Sequence, residues 1–296
     1  MLLASTASVW CCPETWPTPA YTFPSLQSAS SPALASFNSK LYIAINGAFN
    51  AVGIASSSDG GLSWTSPSWI LGSIVSNNQP SLAVFNNKLY VGVYVSGANG
   101  FCLASSSDGS SWTGCNTVGS SDVYKGAVSL ATYRGKLYYT AAGSGTSFCI
   151  SSSSDGSSFN SCQWVEGQLS VASPALVANG NSSLQLVWSA SSQAFAASST
   201  DGATWSSVQN ILEPAATNTK PALVYLNGVQ YAAFVGLDLG VYLSYTTADG
   251  NTFLKQLAAS GSSAASQAPA IAVVGINNLA VAWEGQGQPI YVRASN

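Results

Sequence analysis

The sequence predicts an all-β fold, a six-bladed β-propeller of four-stranded antiparallel blades. Three observations predict it: an aspartate motif returns at a nearly constant interval, a second landmark keeps that interval, and the composition is that of strands and turns. The motif lies at 57–64, 106–112, 153–159, 199–205 and 247–253, and its aspartates Asp59, Asp108, Asp155, Asp201 and Asp249 are 49, 47, 46 and 48 residues apart. The second landmark, two residues before a Leu or Ile, occurs six times: Pro32, Pro80, Val128, Pro174, Pro221 and Pro269. A period of about 40–50 residues with four strands per unit marks a propeller blade.

Taken in order, the first unit reads as strands at 33–37, 40–45, 53–57 and 63–69. β-rich runs such as Leu41-Tyr42-Ile43-Ala44-Ile45 and Leu89-Tyr90-Val91-Gly92-Val93 alternate with loops such as Asn46-Gly47, as strands and turns do. The blades fall at 32–79, 80–127, 128–173, 174–220, 221–268, and 269–296 joined to 1–31, in one domain. The sixth repeat stops at Asn296, where its aspartate would fall, so its last strand is missing. Trp16 precedes Pro32 by 16 residues, the interval that also separates Trp64 from Pro80, Trp112 from Val128, Trp205 from Pro221 and Phe253 from Pro269. The N-terminal segment is therefore expected to supply that strand, closing the ring and removing exposed sheet edges. A solenoid would need polar end caps, and none is visible.

Composition excludes whole classes of function. Charged residues make up 6% of the 296, against about a quarter in an average soluble chain. With Lys+Arg at 8 and a net charge of −3, there is no basic surface to hold a nucleic-acid backbone. Histidine is absent, which removes His-based triads and His-ligated zinc. No apolar run reaches the length of a membrane span, and nothing in the sequence asks for a cofactor or a metal.

The recurring Ser-x-Asp-(x)-Gly-x-Ser/Thr-Trp/Phe element resembles the Asp-box, or BNR repeat, of the sialidase-like propeller superfamily. The copy at Asp59 fits the long form, and the other four omit one residue between Asp and Gly. Asp and Ser side chains can bind the backbone of a tight turn, Gly supplies a positive φ, and the aromatic packs beneath. The resemblance implies that these boxes lie between third and fourth strands, opposite the functional face, so all five aspartates are read as structural. Sialidases resemble one another in an arginine triad that clamps the substrate carboxylate, a Tyr–Glu nucleophile pair and an acid/base Asp. This chain has two arginines, Arg134 and Arg293, so the triad cannot be assembled, and lysine does not replace its bidentate grip. The resemblance thus points to a non-catalytic member with no catalytic residue assigned. A hydrolase of another type would need a carboxylate pair, with Asp122, Asp238 and Glu284 as candidates.

The expected functional face carries the ends of the second strands and the loops leading into the first. Aromatics beside amides and a few charges suit a sugar, and the candidate ligand-binding residues are Glu284, Asp122, Lys125, Tyr124, Tyr94, Asp238 and Lys220. Trp188 and Trp283 align with Ile45 and Val93 and read as core.

Cys102 and Cys115 flank Asp108 by six residues before and seven after, and Cys149 and Cys162 flank Asp155 with the same offsets. Two cross-strand disulfides are expected, each worth about 2–4 kcal/mol, and they imply an oxidising compartment and hence secretion. For the adjacent Cys11 and Cys12, a vicinal disulfide and a bond to another chain are both open. Asn181-Ser182-Ser183 is a glycosylation sequon. The function expected is a secreted, non-catalytic carbohydrate-binding or adhesion module whose partner is a glycan or cell-surface ligand. The alternatives are a self-assembling structural protein and a sialidase-like hydrolase with a non-standard site.

Overall fold

The computed structural model describes residues 21–76, 78–95, 100–119, 126–142, 147–165, 173–190, 193–210, 219–246, 253–258, 264–287 and 289–295. Among them every regular element longer than one turn is a strand. In chain order these are β1 (Tyr21–Gln27), β2 (Ala33–Phe37), β3 (Lys40–Asn46), β4 (Ala51–Ser57), β5 (Ser68–Val75), β6 (Ser81–Phe85), β7 (Lys88–Tyr94) and β8 (Phe101–Ser106). There follow β9 (Asn116–Val118), β10 (Ser129–Tyr133), β11 (Lys136–Ala142), β12 (Phe148–Ser153), β13 (Gln163–Val165), β14 (Ala175–Asn179), β15 (Ser183–Ala190) and β16 (Gln193–Ser199). The last are β17 (Gln209–Asn210), β18 (Ala222–Leu226), β19 (Val229–Val235), β20 (Val241–Thr246), β21 (Phe253–Ala258), β22 (Ala270–Val274), β23 (Asn278–Glu284) and β24 (Pro289–Ala294).

These strands form six four-stranded antiparallel sheets. Five are consecutive, β2–β5, β6–β9, β10–β13, β14–β17 and β18–β21. The sixth has the order β1-β24-β23-β22, so it joins the two ends of the described chain. Tyr21 stands opposite Val292 and Phe23 opposite Ile290. β1 ends five residues before Pro32, just as β5 ends five before Pro80. Trp16, on which the sequence argument for this strand rested, lies outside the described residues, as do Cys11 and Cys12.

The first strand of each sheet packs against the first strand of the next, β2 on β6, β6 on β10, β10 on β14, β14 on β18, β18 on β22, and β22 on β2. Side chains alternate between the two faces of a strand. Thus Tyr42 and Ala44 pack toward β6–β9, whereas Leu41, Ile43 and Ile45 pack against Ala280 and Ala282 of the sixth sheet. Hydroxyls stitch neighbouring inner strands: Ser81 Oγ accepts from Leu130 N at 2.9 Å, Ser129 Oγ from Leu176 N at 3.0 Å, and Ser36 Oγ donates to Val273 O.

In the first sheet the second strand runs one residue longer than expected, and the third starts two residues earlier, at Ala51. The fourth begins at Ser68, five residues later than expected, because Ser63 and Trp64 belong to the aspartate turn. The cysteine pairs are bonded, with Cα atoms 5.3 Å apart for Cys102–Cys115 and 5.5 Å for Cys149–Cys162. Cys115 and Cys162 sit one residue before β9 and β13, so each bond ties a third strand to the start of the outermost one.

Candidate functional site on the upper face

The strand directions give the molecule two faces. The lower face collects the turns between third and fourth strands, where the aspartates stand. The carboxylate of Asp108 accepts from Ser110 N and Ser111 N, both at 2.7 Å, and from Ser106 Oγ at 2.9 Å. Asp155 and Asp201 repeat this set with Ser157, Ser158 and Ser153, and with Ala203, Thr204 and Ser199. Asp59 accepts from Leu62 N, Ser63 N and Ser57 Oγ across the longer turn. For Asp108, Asp155 and Asp201 the backbone N–H donors lead in holding the carboxyl well below the usual carboxylate range; for Asp59 the Ser63 hydroxyl leads. Asp249 lies outside the described residues.

A contact from the preceding sheet fixes three of these turns. A Cβ on Gly109, Gly156 or Gly202 would meet the hydroxyl of Tyr42, Tyr90 or Tyr138 within 2.4 Å, so each tyrosine rests on the next sheet's turn glycine. The residues at the matching positions of the fourth and sixth sheets are Gln185 and Ala280. Gly60 and Gly61 of the first sheet's turn meet no tyrosine.

The upper face collects the ends of the second strands and the segments leading into the first. One register position ends five of the second strands and stands one residue before the end of β15: Asn46, Tyr94, Ala142, Ser189, Val235 and Glu284. Its task is visible in two sheets. Asn46 Nδ2 donates to Asn78 O at 2.6 Å, and Ser189 Oγ donates to Thr219 O at 2.5 Å, each reaching the segment that leads into the next sheet. Glu284 occupies this position in the sixth sheet. Ala280 and Ala282 face the first sheet, so strand alternation turns Glu284 the same way.

A carboxylate cannot donate to a carbonyl unless it is protonated. Glu284 is 4% exposed, and its Oε2 has no hydrogen-bond partner among the described residues. Burial pushes its carboxyl above the usual Glu range, opposed by the Ser266 hydroxyl. The Asn46 Oδ1 is buried and likewise without a partner among the described residues. Glu284 is a ligand-binding candidate of the sequence, and the structure buries it next to Trp283, whose ring stacks on Tyr291 with centroids 5.5 Å apart.

The other candidates are distributed as follows. Asp238 is exposed and builds its own turn, accepting from Gly240 N at 3.0 Å and from the Tyr242 hydroxyl. These bonds, Tyr242 first, hold its carboxyl low. Lys220 is half-buried next to Thr219, and burial pushes its ammonium down to about 8. Tyr94 is half-buried against the cluster shared by the second and third sheets. Asp122, Tyr124 and Lys125 lie outside the described residues. Hydrogen bonds link Asp238's turn to Glu284: Ala265 N donates to Leu239 O at 2.8 Å, and Ser266 N to Glu284 O at 2.9 Å. Arg134 sits in the lower-face turn between β10 and β11, and Arg293 is buried on β24. Among the described residues no group of three His, Cys, Asp or Glu side chains could hold a metal ion.

Sequence reasoning missed three upper-face rings. A Cβ on Gly47, Gly236 or Gly285 would collide with the ring of Trp69, Tyr242 or Tyr291, so each second-strand turn passes beneath an aromatic side chain. Gly47, Gly236 and Gly285, each directly after its second strand, were the available signal.

No protein-family model and no curated protein matches the sequence. Solved structures do match. A protein of unknown function from Dyadobacter fermentans superposes with a TM-score of 0.66 at 14% identity, over 90% of this chain and 93% of that one. A K499G mutant of NanB sialidase from Streptococcus pneumoniae gives 0.68 at 10% identity, over 93% of this chain and 70% of that one. An α-L-arabinofuranosidase from Clostridium thermocellum gives 0.57 at 15% identity, over 78% and 94%. At these identities the likeness establishes a sialidase-like propeller fold and nothing finer.

Proposed function

We propose that the six sheets form a closed wheel, latched where β1 completes the sixth, and that the protein is a secreted, non-catalytic module binding a neutral glycan on its upper face. Glu284 is the observation that carries this reading. A buried acid without a counter-charge is costly unless it stays neutral. A neutral carboxyl donates one hydrogen bond and accepts another, which is what a sugar hydroxyl needs. With Arg134 on the opposite face and Arg293 buried in a strand, the arrangement favours an uncharged sugar over a carboxylated one. The sialidase and arabinofuranosidase neighbours act on sugars by their names, which supports a saccharide partner. Secretion is supported by the two bonded cysteine pairs.

The test is a glycan array probed with the wild-type protein and with Glu284→Ala and Glu284→Gln. Neutral glycans should be retained by the wild type, released by the alanine variant by a factor of about ten or more, and held by glutamine nearly as well. A blank array contradicts the proposal. Turnover of a fluorogenic glycoside panel would replace binding by hydrolysis as the function.

A further inference from the structure

The seam between the first and second sheets holds a cleft of about 430 Å³, within the range of small-molecule sites, about 300–1,000 Å³. One wall is β5 of the first sheet, with Ser68, Ile70 and Leu71. The other is the aspartate turn of the second sheet and the residues after it, with Ser110, Trp112 and Thr113. The cleft lies apart from Glu284. By strand alternation Glu284 approaches the first sheet from the sixth. Ile70 and Leu71 pack into the cluster shared with the second sheet, on the opposite face.

A break in the strand makes the β5 wall. Val52 stands opposite Ile70, but Ala51 stands opposite Val75, so residues 71–74 bulge out of the ladder. In a regular strand Leu71 would point away from Ile70. Here both pack against the same cluster, because Leu71 has φ 70° and Gly72 φ 58°. A left-handed φ penalises leucine, so the apolar floor of the cleft is held at a conformational cost. The outermost strands β9, β13 and β17 have three, three and two residues, against eight in β5. The facing wall is fixed by the bonds of Asp108 and by those of its neighbours. Ser105 N donates to Thr113 Oγ1 and Thr113 N to Ser105 O, both at 2.9 Å. Cys115, which also lines the cleft, is bonded to Cys102.

We infer that this cleft is a second site, separate from Glu284, for a short neutral saccharide. Among the described residues no charged side chain lines it, so nothing there compensates an ionic ligand. Ile70, Leu71 and the half-buried Trp112 present hydrocarbon and an indole to the apolar face of a pyranose ring. The exposed Ser68 and Ser110 put hydroxyls at the rim that donate and accept as sugar hydroxyls do. Thr113, whose oxygen accepts from Ser105 N, keeps its proton to donate. A purely apolar ligand would take water from these hydroxyls and return no hydrogen bond. Two walls already fixed lose little freedom when the ligand enters.

The experiment is calorimetric titration of the full chain with lactose, maltotriose, cellotriose and N,N′-diacetylchitobiose, followed by hydrogen exchange with the tightest of them. At least one should bind, and it should slow exchange in residues 68–72 and 110–115. Gly114→Tyr fills the cleft without backbone strain, because Gly114 lines it and a Cβ there meets nothing within 4 Å. This variant should lose affinity by a factor of about ten or more and melt as the wild type does. A second variant, Ser68→Ala with Ser110→Ala, removes only exposed hydroxyls and should weaken binding about threefold or more. Binding that both variants leave unchanged, or that protects only residues around Glu284, overturns the inference and leaves the carbohydrate reading standing. Cyclohexanol bound as tightly as the best saccharide overturns it in favour of a plain apolar cleft. No binding by any of the four saccharides overturns it as well, whereas the carbohydrate reading falls only with a blank glycan array.

Discussion

The second and third sheets and the fifth and sixth fill the same space by opposite means. Near the upper face Val93 stands opposite Cys102 and Ala141 opposite Cys149, and each cysteine is bonded outward toward the fourth strand. At that position in the other two sheets Phe234 faces Tyr242 and Trp283 faces Tyr291, with rings stacked at 5.8 and 5.5 Å. The fourth sheet follows the aromatic pattern with Trp188 and Phe195, and in the first Ile45 faces Gly53 under the ring of Trp69. The repeat therefore specifies a volume and leaves its chemistry open. A small pair leaves room that a covalent bond to the outer strand makes good; a pair of rings holds by burial alone.

The largest expected effect breaks the aromatic side. Trp283→Ala should cost about 3–5 kcal/mol in denaturant unfolding, since the indole is fully buried. Val93→Ala, at the matching position, should cost well under half of that. Next comes the covalent side. Replacing Cys149 and Cys162 together by Ser should cost about 3 kcal/mol for a separation of 13 residues. A reductant, which opens both bonds in the wild type, should cost more than this variant while leaving the near-ultraviolet signal of Trp188 and Trp283 intact. A signal that collapses on mild reduction would show that the two halves do not hold independently.

A smaller effect probes the lower face. Gly156→Ala meets the Tyr90 hydroxyl at 2.3 Å and carries a φ of 76°, whereas Gly60→Ala carries a φ of 78° and meets only Val274 at 3.6 Å. We expect about 1 kcal/mol for Gly60→Ala from the backbone alone and about 2–3 kcal/mol for Gly156→Ala, both read from urea midpoints. Equal losses would mean that the tyrosine gives way freely.

The smallest effects are pH-dependent and opposite in sign. The lowered carboxyls of Asp59, Asp108, Asp155 and Asp201 contribute stability that is present above the ordinary value of 3.8 and is lost as pH falls below it. The raised carboxyl of Glu284 acts the other way: its ionisation subtracts stability as pH climbs above 4.5 toward the raised value. Glu284→Gln should therefore raise the melting temperature at pH 7 and leave it unchanged at pH 4. A gain at pH 4 as large as at pH 7 would mean that Glu284 is not the group responsible.

The sheets were legible in the sequence because six repeats share one landmark and five of them share the aspartate turn. The Pro-x-Leu landmark marks the first strand, and the aspartate turn marks the gap between third and fourth. The fourth-strand boundary was misplaced because Trp64 looks like strand residue, yet its indole donates to Gly61 O inside the turn. The site was less legible. Glu284 stood out as a charge, but its burial follows from strand alternation against the first sheet, which a single repeat does not display. The exposed apolar residues of the second-strand turns were hidden for a different reason. Nothing local distinguishes Phe49 or Leu239 from core residues, and their exposure follows from a five-residue turn fixed by hydrogen bonds between its ends.

The most direct measurement is the affinity for the strongest neutral glycan of the array, titrated from pH 4 to pH 8 with wild-type protein and with Glu284→Gln. Wild-type affinity should fall as Glu284 ionises, and that of the glutamine variant should stay flat across the range. Matching profiles for the two proteins would contradict it.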